Sequence, residues 1–387
     1  MVPYQLTYCG NVHPAPDLAA VEVALREHAA PVAAAARARG RAFGLGAWWP
    51  MSLAGQLQAD RTQRERLAAL LQELDLPLWT LNVFPHGGFH DTVVKTAVYE
   101  PDWAHEDRLA YSRTCAEVGA ALVPRGTVLP LSTLPLGYRA PGAPPPDFRK
   151  MARNLARCAS AFAAIETSTG VRCVLAIEPE PDCLLETAAG TAQFLEQWLF
   201  DEGAWLTVPE DVLRRHLGIC VDLCHLAVVG EEPLAALQNL HARGIAVPKI
   251  QVSSCLEVRE PAALDRLLAF AEPRYLHQTV AQNGLRALDL DEVRARRAEF
   301  AAAGRIRSHY HVPLYWDQTG PFGSTQAEVE RVLRALPQLT RSPSGLPMPL
   351  LEVETYTWGV LGDFAGTESL AARLQRELDW TASCMES

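Results

Sequence analysis

GICVDLCH, residues 218–225, is a short apolar run that ends in Asp222, with His225 three positions later. An acid at the end of a buried strand, followed by a histidine about one helical turn on, can direct two metal ligands into one pocket. The same spacing also arises where a capping aspartate begins a helix that carries a surface histidine. The residues at the ends of the other strands decide between these two interpretations.

Short apolar runs recur along the chain, and each is followed by a segment with helical periodicity. Runs that are apolar on both faces are typical of parallel strands covered by crossover helices. This alternation predicts an α/β fold, a single (β/α)₈ TIM barrel over residues 1–387 with extended loops at its C-terminal face. The predicted strands cover residues 4–9, 42–48, 77–83, 171–177, 218–221, 247–252, 306–312 and 349–353.

One stretch, residues 124–146, departs from this alternation. It is rich in proline and glycine and includes APGAPPPD, a composition that resists regular structure. We expect an irregular excursion over the surface. Because strand and helix patterns resume directly after it, the stretch does not divide the chain into two domains.

The overall charge favours a small-molecule partner. The net charge is −10, and the arginines are scattered rather than clustered, which argues against binding to nucleic acid. No apolar run is long enough to span a membrane and the first residues lack a secretory signal, so we expect a cytoplasmic protein. Nine cysteines without a C-x-x-C pair suggest reduced thiols that pack in the core. A homo-oligomer is possible from sequence alone.

Polar residues collect at the ends of the predicted strands. Because a TIM barrel brings the carboxyl ends of its strands to one mouth, these side chains should meet there. Helix capping explains any one of them, but it does not explain ligand-type side chains at several successive strand ends. The residues are Tyr8, Asn11, His13, Asn82, His86, Glu178, Glu180, Asp222, His225, Gln251, Ser253, His309, His311, Glu352 and Glu354.

The side-chain types predict a divalent metal. Carboxylates with imidazoles and a carboxamide, without aligned thiolates, suit Mn²⁺, Mg²⁺, Zn²⁺ or Co²⁺. Such a cation can bind two adjacent sugar oxygens and stabilise an enediolate while nearby carboxylates move the C–H proton. Period-two geometry does not separate Glu178 from Glu180, or Glu352 from Glu354, since both members of each pair face the same way. Pro179 ends its strand and favours Glu178.

Aromatic residues also follow the predicted strand ends. Their number favours a substrate more apolar or bulkier than a free triose or pentose, although packing in the core is the alternative for each. Lys95 and Arg139 could meet a phosphate or carboxylate, or could be solvated loop charges. The aromatic residues are Trp48, Trp49, Phe84, Tyr315, Trp316, Tyr356 and Trp358.

Five motifs, in this order, carry a family resemblance: VLAIEPEP, VDLCH, KIQVSS, SHYHVP and LEVETYTW. They resemble the xylose isomerase-like superfamily of sugar isomerases, epimerases and endonuclease IV-type enzymes. The resemblance implies that Glu178, Asp222 and Glu354 are metal ligands. Gln251 stands where most relatives have a histidine, and His309 with His311 matches a pair that helps to hold a second metal in dinuclear members.

The expected activity is therefore that of a metal-dependent isomerase or epimerase of a sugar-like or aromatic metabolite. We expect Glu178, Glu354 and His225 to be catalytic. The expected metal ligands are Glu178, Asp222, Gln251, Glu354, His309 and His311. The expected substrate contacts are His13, Trp49, Asn82, His86, Glu180, Trp316 and Trp358.

Four further motifs, LTYCGNVHP, NVFPHGGFH, VYEPDW and IEPEPDCLLET, resemble the metabolite traffic protein EboE group. The name of that group denotes an operon linked to the movement of secondary-metabolite precursors, so it implies a pathway rather than a reaction. Gln251 is a poorer Zn²⁺ ligand than histidine, which favours Mn²⁺ or Mg²⁺. It also leaves open a non-catalytic protein that binds metabolites in the barrel pocket.

Overall fold

A computed structural model describes residues 4–90, 93–200, 207–260, 263–339, 348–359 and 368–386. The strands in these ranges are β1 (Leu6–Tyr8), β2 (Leu45–Trp48), β3 (Leu78–Asn82), β4 (Val128–Thr133), β5 (Arg172–Ile177), β6 (Leu217–Asp222), β7 (Lys249–Val252), β8 (Ser254–Val258), β9 (Thr279–Ala281), β10 (Arg286–Ala287), β11 (Ile306–Val312), β12 (Gln318–Thr319), β13 (Phe322–Ser324) and β14 (Leu350–Val353). Eight of them, β1 to β7 and β14, form one parallel sheet.

This sheet is a (β/α)₈ TIM barrel, as predicted. Its strands are paired in the order β1-β14-β7-β6-β5-β4-β3-β2. A parallel bridge between Cys9 and Gly46 joins the two ends of this order, and the Thr7 hydroxyl donates to the Gly44 carbonyl at 2.7 Å. The carboxyl ends of all eight strands therefore face one mouth.

Helices surround the barrel. The side chain of Asp17 caps the first of them by accepting a hydrogen bond from the Ala20 backbone N–H at 2.9 Å. The helices are α1 (Leu18–Ala24), α2 (Ala30–Ala38), α3 (Met51–Ala59), α4 (Arg61–Glu73), α5 (Glu106–Leu122), α6 (Phe148–Thr169), α7 (Ala188–Leu195), α8 (Glu210–His216), α9 (Leu223–Val229), α10 (Pro233–Ala242), α11 (Leu264–Leu268), α12 (Leu290–Ala295), α13 (Arg297–Ala301), α14 (Gln326–Leu339) and α15 (Leu370–Glu386). No helix in these ranges is both long and apolar enough to cross a lipid bilayer.

Strand β4 lies within the stretch that the sequence predicts to be irregular, so that prediction is wrong for residues 128–133. The strand reads VLPLST and pairs with both β3 and β5. Pro130 lacks an N–H group, which makes a proline unusual in a central strand. Its carbonyl nevertheless accepts a hydrogen bond from the Thr80 hydroxyl at 2.9 Å.

Strand β11 corrects a second prediction, because it does not belong to the barrel. It pairs antiparallel with β8 and β9 in a separate six-stranded sheet of order β10-β9-β11-β8-β13-β12. This sheet and α11 to α13 form an inserted module, residues 254–260 and 263–324, between barrel strands β7 and β14. The module has its own apolar core, which includes Leu264, Phe300 and Phe322.

The barrel interior contains a buried ion pair. The Lys249 ammonium of β7 lies 2.6 Å from the Glu352 carboxylate of β14, and the two side chains are 0% and 1% exposed. A side chain at Gly46 would collide with this carboxylate, so the glycine at that position provides the space for the pair. The Glu352 carboxylate is therefore paired inside the barrel and does not point to its mouth.

Lys249→Met should destabilise the protein by about 3 kcal/mol, because it leaves the Glu352 carboxylate buried without its cation. The free energy of unfolding from urea titration measures this loss. The double variant Lys249→Met/Glu352→Leu is the matched control and should recover most of it, since both charges are removed together. Equal stability of the single variant and the wild type would contradict the structural role of the pair.

A second buried acid, Glu377 of α15, lies outside the mouth of the barrel. It is 0% exposed, and one of its carboxylate oxygens accepts the Leu314 backbone N–H at 2.8 Å. Burial raises the pKa of Glu377 from its ordinary value of 4.5 to about 8, although the Leu314 hydrogen bond acts in the opposite direction. The fold therefore favours the protonated carboxyl.

Glu377→Gln should change how stability depends on pH. Because the folded-state pKa is raised, the wild-type carboxyl contributes fully below about pH 4.5 and loses its contribution as the pH rises through 8. Between these two pH values, the free energy of unfolding of the variant should therefore rise relative to that of the wild type by about 1 kcal/mol per pH unit. Urea titrations across this range measure the difference, with the half-exposed Glu330→Gln as control. A difference that does not vary with pH would refute the assignment.

Candidate metal centre at the barrel mouth

Three carboxylates meet at the carboxyl ends of the barrel strands. Glu178 follows β5, Asp222 ends β6 and Glu354 follows β14, and all three are at most 5% exposed. Each offers an oxygen within 4.8 Å of the others. Glu178 Oε2, Asp222 Oδ2 and Glu354 Oε2 are buried without a hydrogen-bond partner among the described residues. Since buried unpaired anions are costly, this carboxylate cluster fits a divalent cation.

The other oxygens of two of these carboxylates are fixed by the protein. Asp222 Oδ1 accepts the His225 backbone N–H and the Ser253 hydroxyl, both at 2.8 Å. Glu354 Oε1 accepts the Tyr356 hydroxyl. Each carboxylate is therefore oriented by one oxygen and presents the other to the cluster, as metal ligands commonly do.

Burial and mutual repulsion alter the acidity of this cluster. Burial is the largest cause that raises the pKa of Glu178 well above its ordinary value, and the charges of Glu354 and Asp222 raise it further. Burial also raises the pKa of Glu354, while His311 acts in the opposite direction. Perturbed carboxyls of this kind in a cleft are typical of functional sites.

Gln251 is the penultimate residue of strand β7 and is fully buried. It is the register partner of Asp222 on one side and of Glu352 on the other. Its amide oxygen has no hydrogen bond with the described residues. A carboxamide oxygen at this position suits a hard cation better than a soft one.

Three histidines form a second group beside the carboxylates. The Nε2 atom of His309 lies 3.0 Å from that of His225 and 3.1 Å from that of His311. Burial is the main cause that lowers the pKa of His225 to about 3 and the pKa of His309 well below its ordinary value. The rings of His225 and His309 are thus held neutral, which is the form that binds metals.

The Nδ1 atom of each ring faces an oxygen acceptor, which fixes the tautomer. The acceptors are the Pro179 carbonyl at 2.9 Å for His225, the Gln278 side-chain oxygen at 2.7 Å for His309 and the Glu354 carbonyl at 3.0 Å for His311. Each Nδ1 must therefore carry the proton, so the Nε2 atoms of His225 and His311 both lie beside that of His309 with their lone pairs free. Three imidazole nitrogens in this arrangement fit a second cation.

Asp222 belongs to both groups. One of its oxygens also lies within 4.8 Å of the His225 and His311 nitrogens, so the histidine cluster and the carboxylate cluster adjoin at this residue. Strand β11 changes its register against β8 between Ser308 and His311. Such an irregularity bends a strand and redirects its side chains, which accounts for histidines of the inserted module at the barrel mouth.

A cavity of about 120 Å³ adjoins both clusters. Glu178, Glu354 and the three histidines line one side. The other side, which we call the apolar wall, consists of Phe89, Val94, Val98, Tyr275 and Leu276. The residues of this wall come from the long loop after β3 and from the inserted module, so both segments shape the site.

Two predicted substrate contacts, Asn82 and Glu180, line this cavity. Glu180 accepts the Tyr99 hydroxyl at 2.8 Å, and burial raises the pKa of Glu180 to about 8. His13 does not line the cavity. Its Nε2 atom is 2.9 Å from the Tyr8 hydroxyl, and its ring stacks on His28.

Four other predicted contacts also lie away from the cavity lining. Trp49 is 2% exposed, and the ring of His86 packs edge-on against Tyr111. Trp316 lies in the core of the inserted module, and Trp358 lies in the core of the barrel. The three tryptophans therefore pack in the protein core, which is the alternative that the sequence left open for them.

The sequence interpretation missed several residues that shape the site. Tyr99, Tyr275 and Tyr310 line the cavity, and Gln278 holds His309. The Nε2 atom of Gln278 donates to the Tyr99 hydroxyl at 3.3 Å, which leaves its oxygen for His309. Tyr99, Tyr275 and Gln278 lie outside the predicted helices and strands, where periodicity gives no direction to a side chain, whereas Tyr310 lies in β11 between two histidines that the sequence did single out.

Comparison with known proteins identifies the family of this chain. A family model described as "Xylose isomerase-like TIM barrel" matches residues 32–266. No curated protein sequence matches the chain.

Three solved structures resemble the fold. The 3-keto-D-glucoside 4-epimerase YcjR from E. coli is 12% identical, with 99% of this chain and 100% of that chain covered and a TM-score of 0.48. An L-ribulose 3-epimerase is 12% identical, with 99% and 95% covered and a TM-score of 0.49. The IOLI protein with a binding zinc atom is 11% identical, with 99% and 98% covered and a TM-score of 0.47. Because the family model covers more than half of the sequence, this chain belongs to the xylose isomerase-like TIM barrel family.

Proposed function

We propose that this protein is a divalent-metal-dependent isomerase or epimerase that acts on a sugar or sugar-like metabolite. The observation that carries the proposal is the carboxylate cluster of Glu178, Asp222 and Glu354, whose unpartnered buried oxygens adjoin a cavity at the barrel mouth. Functional groups of TIM-barrel enzymes lie at this end of the barrel, which supports the same conclusion.

In the proposed reaction Glu178 and Glu354 transfer the proton. Both line the cavity, and burial raises the pKa of both above the ordinary value of 4.5, which suits a carboxyl that accepts and returns a proton. Tyr356 donates to Glu354 and holds that carboxylate in place. Glu178, Asp222, Gln251 and Glu354 would hold a divalent cation, which would supply Lewis acidity at a substrate carbonyl oxygen. His225 lies beside them and positions substrate or the second cation.

The two clusters favour different metals. Carboxylate and carboxamide oxygens suit Mn²⁺ or Mg²⁺, whereas the three imidazoles of His225, His309 and His311 suit Zn²⁺ or Co²⁺. We therefore propose a site for two cations of unlike chemistry. We also infer that residues 1–387 act as one domain, because the inserted module and the barrel line one cavity.

The biological setting is a further part of the proposal. The motifs LTYCGNVHP, NVFPHGGFH, VYEPDW and IEPEPDCLLET support a place among EboE-type proteins of secondary-metabolite pathways. Within such a pathway, a non-catalytic protein that binds and passes on a metabolite is the second candidate. The presence of Gln251 in place of a histidine favours it.

Metal analysis followed by isotope exchange tests the proposal. Purified protein offered Mn²⁺, Zn²⁺ and Co²⁺ should retain metal after dialysis, as measured by mass spectrometry. With a panel of ketoses and cyclic 2-hydroxyketones in D₂O, the metal-loaded protein should then incorporate deuterium next to the carbonyl, and the chelated protein should not. A protein that retains no metal would refute the metal-dependent function. Retained metal without exchange would favour the metabolite-binding candidate.

A further inference from the structure

The polar side chains opposite the metal clusters are engaged within the protein. Each tyrosine and threonine hydroxyl that lines the cavity donates its hydrogen to another group of the chain. Such donors are not available to the hydroxyl groups of a ligand. The acceptors include the Glu180 carboxylate for Tyr99, the Phe89 carbonyl for Tyr275 and the His311 carbonyl for Thr357.

The cavity also lacks a free cationic side chain in the described parts of the chain. Lys95 is the lysine that lines it, and no arginine does. The Lys95 ammonium donates to the Glu272 carbonyl at 3.1 Å, to the Tyr275 carbonyl at 2.8 Å and to the Asp289 carboxylate. Its three hydrogens are thus used, and none remains for a phosphate or carboxylate.

Asn11 differs from the hydroxyl groups and from Lys95. Its side chain lines the cavity and is 2% exposed, and its Oδ1 atom is buried without a hydrogen-bond partner among the described residues. Asn82, the other carboxamide there, is held by the Phe84 backbone N–H at 3.0 Å and by the Cys9 thiol at 3.7 Å. A buried polar atom without a partner is costly, so Asn11 is suited to one hydrogen bond from a ligand.

The volume of the cavity indicates the size of the part of a ligand that it can hold. At about 120 Å³ it is close to the roughly 150 Å³ of an apolar protein cavity that binds benzene. One six-membered ring fits this space. An extended sugar phosphate would in addition require polar and cationic partners that the apolar wall does not offer.

We propose that the substrate is a neutral six-membered ring with adjacent oxygens on one edge and an otherwise apolar body. This inference rests on the proposed metal-dependent function, because the adjacent oxygens are assigned to the metal clusters. The apolar edge of the ring packs against Val94, Val98 and Leu276. Asn11 supplies a polar contact away from the clusters and selects a ring with one further hydroxyl or carbonyl group.

Calorimetric titration of the Mn²⁺-loaded protein with matched rings tests this substrate class. The probes are cis-1,2-cyclohexanediol, myo-inositol and D-fructose 6-phosphate. The diol should bind at least about tenfold more tightly than myo-inositol, whose added hydroxyls lose water without gaining partners. The phosphate should not bind. Equal or tighter binding of myo-inositol or the phosphate, or no binding of the diol, would overturn the proposal.

Asn11→Leu tests the polar contact. It should weaken binding of 1,2,3-cyclohexanetriol about tenfold and change binding of the diol by less than about twofold. Asn11→Ala repeats the test if the leucine variant melts at a lower temperature. Equal affinity of wild type and variant for the triol would remove Asn11 from the proposal. Preference for the diol without any metal dependence would refute the proposed function while leaving the substrate class intact.

Discussion

Replacement of Glu178 by glutamine should lower metal-dependent deuterium exchange by about a thousandfold while leaving the fold intact. A carboxamide cannot take or return the substrate proton, and loss of a positioned acid or base commonly costs two to four orders of magnitude. Glutamine also removes one anionic ligand from the carboxylate cluster. The rate of deuterium incorporation at saturating Mn²⁺ measures the effect, and circular dichroism checks the fold.

The matched control is Glu180→Gln, two residues along the same strand end. Glu180 lines the same cavity, but its carboxylate accepts the Tyr99 hydroxyl and is not one of the three carboxylates that converge. We expect a reduction of about tenfold or less from this variant. Exchange by Glu178→Gln at more than a tenth of the wild-type rate would exclude Glu178 as the acid or base. An equal loss of exchange in both variants would mean that Glu180 contributes to proton transfer as much as Glu178 does.

The barrel could be predicted from the sequence because its strands are buried on both faces, which leaves a strong apolar pattern. Strand β4 was missed because Pro130 and the flanking glycines and prolines hide that pattern. Strand β11 was recognised as a strand, but the chain gives no local signal for its partner. Its pairing with β8 and β9 depends on contacts across the inserted module, which periodicity does not contain.

Part of the candidate site could also be predicted from the sequence. Glu178, Asp222 and Glu354 were identified because a parallel strand directs its last side chain to the barrel mouth. Structure separates Glu354 from Glu352, since Glu352 pairs with Lys249 inside the barrel. Sequence spacing could not reveal this difference, because both glutamates lie on the same face of one strand.

His309 and His311 were identified from an incorrect premise, namely that they end a barrel strand. They reach the cavity from the inserted module, and the register change in β11 accompanies that approach. The predicted tryptophan contacts lie away from the cavity for the opposite reason. Trp49 and Trp358 do follow barrel strands, but large aromatic side chains next to a strand end also fill the core, and the sequence does not distinguish these positions.

Asp222→Asn should weaken binding of both proposed cations, by about a thousandfold in total, because Asp222 is the residue shared by the two clusters. The asparagine oxygen can still accept the His225 backbone N–H and the Ser253 hydroxyl, so the start of α9 should be preserved. The amide nitrogen then replaces the free oxygen Oδ2 and points hydrogens at the cations. Metal content after dialysis and titration with Mn²⁺ and Zn²⁺ measure the loss.

Two single-cluster variants are the matched controls for Asp222→Asn. Glu178→Gln should weaken the oxygen-rich position and retain Zn²⁺ at the histidines, whereas His309→Gln should do the reverse. This pattern follows from donor chemistry, since each control removes a ligand of one cluster alone. If Asp222→Asn lost no more metal than either control, the two clusters would not share Asp222. If His309→Gln retained full Zn²⁺ binding, the three converging imidazole nitrogens would serve substrate and not a second cation.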